Sequence, residues 1–448
     1  MADRSGLKAQ LAKALDDMHA DVIHVGLFDY ASMFRERRLR RDELLNGAET
    51  AVFANVLPKW DSGEAILFPG PYRSETVAYD VASLRPYPFE KNAAALIADY
   101  TGPQAAIMPR RVLADQIAKA DALGLDVFAG FEFEFIVLNE TAETLRTKGF
   151  ANLNHYAADN RCWSGQTAAT YAPFVAELED TLTRAGVDLF SLSVELGPGC
   201  FEATLKHREG LRGADDAAFF RMFTKSFCRQ RDLTASFMAL TGNGFPGIGG
   251  HINLSLRDRK SGRNVFADRS DANGLSATAK SFLAGIIANV PEIFPMIGNT
   301  VNAYRRLAPG SWAPKTVSWA PYNYAAAVRI AAETEEMTRL ELRLPGSDAN
   351  PHLAMAAMLG AGLDGLTRGL ELTTPAIASG GPNEVPEGVE RLPVDLLDAT
   401  RRFRASAKAK ALFGAAFVDH YSAICEAEDT ALRKAVSAAE VQRYLEAG

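Results

Sequence analysis

Cysteine is scarce in this chain. The four residues, Cys162, Cys200, Cys228 and Cys425, lie far apart and none forms a CxxC pair. That spacing speaks against a disulfide framework or a zinc knuckle and fits reduced thiols in a reducing compartment. No uninterrupted apolar run approaches the roughly 20 residues that a membrane-spanning helix needs. Basic charge is not in excess either: 48 Lys and Arg against 55 Asp and Glu leave a net charge of −7. Neither nucleic acid nor a membrane is therefore an expected partner. The densest basic run, RERRLRRDE at residues 35 to 43, reads as a solvated or interface edge. The first residues, MADRSGLKAQLAKALDDM, read as a charged amphipathic helix with no apolar signal core, so a cytoplasmic location is expected. Internal repeats are absent, and ASGGPNEVPEG (378 to 388) is the one segment with linker-like composition.

What is present suits a soluble α+β protein. At 448 residues the chain is too long for one simple core, so two domains are expected, 1–105 and 106–448, with the boundary near residues 102 to 110. The first part reads as a helix (5 to 19), the strand VIHVGLFDY, a second strand running into a helix, short apolar runs punctuated by Gly and Pro (51 to 90), and the strand AALIADY. A helix starts near Pro109, and FAGFEFEFIVL (128 to 138) follows as a strand. Next come a polar, loop-rich stretch (139 to 170), a helix from about Tyr171 to Arg184, and strands at VDLFSLSVEL and GPGCFEATL. A long helix is expected over Ala214 to Thr234, then a strand at ASFMAL. The glycine-rich loop TGNGFPGIGG leads into the strand HINLSL. Residues 275 to 297 read as helix, 302 to 316 as loop, AAAVRIA and TRLELRLPG as paired strands, and DANPHLAM onward and 392 to 446 as helices.

The chemistry is concentrated around FEFEF. Strand alternation puts Glu132 and Glu134 on one face and Phe131, Phe133 and Phe135 on the other. The rings read as the face packed on a core, and the carboxylates as facing water or a compensating charge. Glu195, Glu202, His251 and Glu341 are all predicted on strands and could converge on the same face. Five Glu and one His make an oxygen-rich donor set that suits Mg²⁺ or Mn²⁺ better than Zn²⁺. Two divalent ions would offset the repulsion of so many carboxylates. Arg306, Arg329, Arg339 and Arg343 could hold phosphate or carboxylate groups by paired hydrogen bonds. Such a set, with no nucleophilic Ser or Cys framework, points to phosphoryl chemistry from a nucleotide. Taken singly, each of these residues could equally sit in a surface ion pair. TGNGFPGIGG is not a dinucleotide fingerprint, because a strand follows it where a helix should begin. It is either a plain turn or a loop whose bare backbone approaches a substrate.

In this order across residues 131 to 366, FEFEF, SVELGPGCFE, GIGGHINLSL, NAYRRLAPGSWAP and RLELRLPGSDANPHLAMAAMLGAGLDGL resemble the glutamine synthetase family. DVASLRPYPFE and AAEVQRYLE extend the likeness towards both ends. The resemblance implies an N-terminal β-grasp domain (1–105) and a catalytic domain with a curved antiparallel sheet (106–448). It also implies a homo-oligomer of stacked rings, a dodecamer, with active sites between subunits. It implies two Mg²⁺ or Mn²⁺ ions per site, one held by Glu134, Glu195 and Glu202 and the other by Glu132, His251 and Glu341, with ATP as cosubstrate. By matching position, Arg306 would bind the substrate carboxylate, Arg343 would sit near the reacting carboxylate, and Gly247 would contact the amino-acid substrate through its backbone. Arg329, Arg339 and Ser255 match positions around the nucleotide and its phosphates, and Arg306, Arg329 and Arg343 are the expected catalytic side chains.

The sequence departs from the family pattern at chemical positions. Trp312 stands where a flap glutamate is usual, Pro246 where the glycine-rich loop has Asn, and Cys200 where Gln is usual. Asn253 replaces the second His of H-x-H, Tyr324 an Arg, and Leu240 a Lys, and the Asp that recruits ammonium has no clear equivalent. An apolar Trp312 suits an organic amine better than ammonium. The expected activity is thus an ATP-dependent ligase joining a small carboxylate, the γ-carboxyl of glutamate, to an organic amine. The alternatives are ligation or phosphoryl transfer on another acid, or a metal-binding homologue without catalysis that acts as a scaffold. Cys200 reads as a small substitution that enlarges a pocket, and His207, His352 and His420 as structural residues.

Overall fold

The computed structural model describes residues 6–308, 310–379 and 389–446. Most of the linker-like segment at 378 to 388 lies outside them. Helix α1 (Leu7–Asp17) precedes strands β1 (Val22–Phe28) and β2 (Phe34–Arg40), helix α2 (Arg41–Asn46), and strands β3 (Val52–Ala54), β4 (Ser74–Pro86) and β5 (Ala93–Tyr100). These strands form a mixed five-stranded sheet in the order β2-β1-β5-β4-β3, with β1 and β5 parallel at its centre. Every residue of β1 is buried because both faces of the sheet are covered. Ile23, Val25 and Leu27 pack with Leu11 and Leu15 of α1, while Phe28, Ala95 and Ile97 join the main core. The basic run at 35 to 43 covers most of edge strand β2 and the first turn of α2, with most of its side chains in solvent.

After helix α3 (Pro109–Ala122), strand β6 (Leu125–Leu138) is the backbone of a nine-stranded curled sheet. Helices α4 (Ala142–Thr147) and α5 (Gly165–Arg184) lead to strands β7 (Leu189–Val194), β8 (Cys200–Leu205) and β9 (Arg208–Glu209). Helix α6 (Leu211–Arg229), β10 (Thr234–Ser236), β11 (Gly250–Asp258), α7 (Ala277–Ile293) and α8 (Val301–Arg306) follow. Strands β12 (Trp319–Pro321), β13 (Val328–Ala331) and β14 (Arg339–Leu342) complete the sheet. Helices α9 (Pro351–Arg368), α10 (Leu396–Ala405), α11 (Ala407–Phe413), α12 (Ala415–Arg433) and α13 (Ala438–Tyr444) end the chain. The sheet order is β12-β13-β14-β11-β6-β8-β7, with β9 and β10 also paired to β6; all pairs are antiparallel except β12 with β13.

The aromatic face of β6 lies on the core. Phe131, Phe133 and Phe135 are buried, and Phe133 stacks on Phe220 of α6 at 5.5 Å while Phe135 stacks on Phe237 at 5.6 Å. Buried ion pairs tie the first sheet to the second unit. Arg85 pairs with Asp216 at 2.8 Å, and Arg110 with Asp215 at 2.9 Å and with Asp80 and Asp99. His352, read as structural, completes this cluster through Asp215 at 2.9 Å, and His420 bonds the Pro58 carbonyl at 2.5 Å.

Four local expectations are corrected. Residues 301 to 306 are helix, because the Thr300 hydroxyl accepts from the Ala303 amide and caps the turn. Helix α6 stops at Arg229, and Thr234 belongs to β10, since pairing with β6 from Thr234 to Ser236 satisfies the backbone there. The expected ASFMAL strand is limited to that short pairing. The loop-rich stretch contains α4 and the first turn of α5, which Ser164 caps well before Tyr171. Among the described residues no helix is long and apolar enough to cross a membrane.

Phe133→Ala should cost about 3–5 kcal/mol of stability, read as a lowered urea midpoint with an unchanged transition slope.

Candidate active site

The side of β6 opposite the core carries the acids. In the antiparallel register Glu132 faces His251 of β11, and Glu134 faces Glu202 of β8. Asn253, two residues along β11, faces Glu341 of β14, which in turn faces Arg329 of β13. Five neighbouring strands, β13, β14, β11, β6 and β8, therefore present one polar face. One potential ligand atom from each of Glu132, Glu202 and His251 lies within 4.8 Å of the others. His251 Nδ1 also sits 3.5 Å from Glu341. Glu195 is not on a strand; it follows β7 directly, where its backbone amide donates to the Cys200 carbonyl at 2.9 Å.

Each remaining acid is held by its own donors. The Gly249 amide donates to Glu134 at 2.9 Å, and the Asn253 amide to Glu132 at 2.8 Å. The Glu195 carboxylate accepts from Trp163 Nε1 at 2.8 Å and lies 3.1 Å from Cys162 Sγ. Glu341 is fully buried and accepts from both Arg329 and Arg343. Arg343 further donates to the Tyr324 carbonyl at 2.9 Å, and the Tyr324 ring lies over the guanidinium groups of Arg329 and Arg343. The Asn160 side-chain amide fixes the β7–β8 turn by donating to the carbonyls of Glu195, Gly197 and Cys200.

Electrostatics separates the acids. Burial would push Glu132 up, but the hydrogen bond to His251, its charge, Asn253 and Arg343 hold the carboxyl at about 2. Glu202 is pushed up to about 8 by burial and then by the charges of Glu134, Glu132 and Glu195. Three carboxylates pressing on a fourth form an arrangement that a divalent cation would relieve. Burial holds the Cys200 thiol well above its usual range, so it stays a neutral side chain.

These groups open into a cavity of about 890 Å³. Glu132, Glu134, Glu195, Glu202, His251, Gly247, Arg306, Trp312 and Arg343 line it, together with Leu240, Pro246 and Tyr324. Arg329, Arg339, Ser255 and Glu341 lie outside that lining; Arg339 reaches Asn253 at 2.9 Å. Arg306 is buried with two donors on the Leu344 and Arg343 carbonyls, and its Nε has no partner among the described residues. A Cβ on Gly247 would lie 2.7 Å from Arg306 Cγ, so the bare backbone there lets the side chain lie flat. Sequence reasoning missed Cys162, Trp163, Phe245 and Arg305, which also line the cavity. Only an aromatic in the polar stretch after β6 signalled Trp163, which is 72% exposed at the rim beside Trp312 at 65%.

The profile of the family described as "Glutamine synthetase, catalytic domain" matches residues 106–444. The chain belongs to the glutamine synthetase family, whose members are ATP-dependent ligases that form carbon–nitrogen bonds and use divalent metals. It is 33% identical over 405 residues to "Type-1 glutamine synthetase 2" of Dictyostelium discoideum, covering 88% of this chain and 77% of that one. "Glutamate--isopropylamine ligase" of Pseudomonas sp is 29% identical over 98% of both chains. The solved structure "Apo GmaS without ligand" superposes with a TM-score of 0.84 at 25% identity, covering 99% of this chain and 100% of that one.

Because Glu202 is protonated below about 8, cation binding at this cluster must release a proton. Mn²⁺ affinity, followed by titration calorimetry, should rise with pH by up to about tenfold per unit and level off near 8. Glu202→Gln should lose that slope.

Proposed function

We propose that the chain is an ATP-dependent carboxylate–amine ligase that joins the γ-carboxyl of glutamate to an organic amine. The carrying observation is a cavity lined both by carboxylate, imidazole and guanidinium groups and by Trp163, Trp312, Phe245 and Leu240, with the two tryptophans exposed. An indole stands where the family has an acid, so the rim offers apolar contact to an alkyl or aryl group and little to hold ammonium. The full-length similarity to a protein named as a glutamate–isopropylamine ligase supports the same reading.

The donor set fits two divalent ions, Mg²⁺ or Mn²⁺, with Glu134, Glu195 and Glu202 on one and Glu132, His251 and Glu341 on the other. When bound they supply charge neutralisation and Lewis acidity to the phosphates. Arg306, with its unpartnered Nε, holds the substrate carboxylate, and Gly247 contacts the same substrate through its backbone. Arg343, between Glu341 and the Tyr324 carbonyl, faces the reacting carboxylate. Arg329, Arg339 and Ser255, farther along the same sheet face, are assigned to the nucleotide. A carboxylate is a poor electrophile, so the γ-phosphoryl group of ATP is first transferred to its oxygen, releasing ADP. The neutral amine then attacks the carbonyl carbon, phosphate leaves, and the surplus proton passes from nitrogen to water. Arginines that face two anions at once lower the barrier to bringing them together.

The parallel central pair of the first sheet, flanked by antiparallel strands with α1 on one face, supports a β-grasp domain over residues 1–105, with the catalytic domain at 106–448. The exposed aromatic rim supports a homo-oligomer of stacked rings in which a neighbouring subunit closes each site.

Purified protein with Mg-ATP, glutamate and a panel of amines should release ADP with an organic amine and yield a γ-glutamyl amide by mass. Absence of turnover with every amine refutes the glutamate assignment. Trp312→Glu should lower the preference for the organic amine over ammonia by about 10–200-fold in kcat/KM.

A further inference from the structure

Five of the six candidate cation ligands take their positions from the sheet, and one does not. Glu132 and Glu134 of β6, Glu202 of β8, His251 of β11 and Glu341 of β14 are each set by cross-strand register. Glu195 lies one residue past the last β7–β8 pair, Val194 with Phe201, in the turn between the two strands. A side chain on a turn keeps its rotamer freedom unless neighbouring groups remove it.

The groups that remove it come mostly from residues 157 to 163. The Gly199 amide donates to the Ala157 carbonyl at 2.9 Å, and the buried Asn160 amide donates to the Glu195 carbonyl at 2.6 Å. The carboxylate itself accepts on Oε1 from the Leu196 amide at 2.8 Å and from the Cys162 thiol at 3.1 Å. On Oε2 it accepts from Trp163 Nε1 at 2.8 Å. A carboxylate oxygen carries two lone pairs. Among the described residues Oε1 therefore has both engaged, while Oε2 retains one. Trp163 shares the oxygen that is left for a cation.

Trp163 is held there against two ordinary tendencies. Its φ of 53° lies in the left-handed region, which a bulky side chain rarely adopts. Its ring is largely exposed, so burial of apolar surface does not account for its place. The next residue, Ser164, caps the 20-residue helix α5 and anchors the backbone. A strained backbone beneath an exposed ring, with its one polar atom on an acid, is the pattern of a residue kept for what that bond does. We propose that Trp163 is a positioning residue for the cation. Its indole N–H fixes the Glu195 carboxylate with one lone pair of Oε2 available, while its ring stays in the cavity wall. Groups that hold a metal ligand from outside are worth roughly 10–100-fold in metal affinity or activity. The inference rests on the cation assignment proposed above.

Mn²⁺ binding to the full-length parent, Trp163→Phe, Glu195→Gln and the double variant is measured by titration calorimetry at one pH. Neither side chain is buried, so the variants should keep the parent's circular dichroism. Trp163→Phe keeps an aromatic ring and loses the N–H, and should weaken Mn²⁺ binding about 10–100-fold. In the Glu195→Gln background the same substitution should change affinity less than about twofold, because its effect passes through that carboxylate. A bound cation neutralises the acid that the indole faces. Saturating Mg²⁺ should therefore shift the fluorescence emission of the parent and of Trp312→Phe, and leave that of Trp163→Phe in place. Parent-like or tighter Mn²⁺ binding in Trp163→Phe overturns the inference. So does an equal loss in the Glu195→Gln background, or an emission shift that survives in Trp163→Phe. If Glu195→Gln binds Mn²⁺ as the parent does, or the parent binds none, the cation assignment falls with it.

Discussion

The structure depends on the two-residue period of β6. A strand that places rings on one face and carboxylates on the other must be covered by apolar helix on the first side and by compensating charge on the second. Helix α6 meets the first demand with Phe219, Phe220, Phe223 and Phe227, all buried. The second is met strand by strand, with His251 opposite Glu132 and Arg329 opposite Glu341. A slip of one residue in any of these pairings would bury a carboxylate among phenylalanines, so the same alternation fixes both the core and the site.

Compensation is uneven, and that unevenness has chemical content. Glu341 is balanced by two arginines and Glu132 by imidazole, amide and guanidinium, whereas at Glu202 the charges of three other glutamates outweigh that of Arg343. The protein's own groups thus neutralise one end of the acidic row and leave the other short of positive charge. Repulsion is concentrated at Glu202, on which Glu134, Glu132 and Glu195 all act. The arginines at the opposite end are suited to anions.

Much of this was legible in the sequence because strand alternation and cross-strand pairing act locally. FEFEF, HINLSL and RLELRL show their faces in their own residues, and the ordered motifs fixed the family. Capped helix starts were read poorly: Thr300 and Ser164 act through one hydroxyl-to-amide bond each, which a glance at apolar periodicity passes over. Trp163, Cys162 and Asn160 escaped for a different reason. They come from an irregular segment, and only its anchoring to the β7–β8 turn brings them to Glu195. Asp215, the partner that His352 and Arg110 share, lies more than a hundred residues from either in α6, so no local pattern could name it.

The outer strand of the first sheet sets a limit on how copies of this chain can meet. Strand β2 reads FRERRLR and has a partner on one side only, with Glu36, Arg37, Arg38 and Arg40 in solvent. A second β2 laid beside it would bring several of these arginines close to their counterparts, with Glu36 the one acid of the strand among them. Continuous sheets running from one molecule into the next are disfavoured at this border.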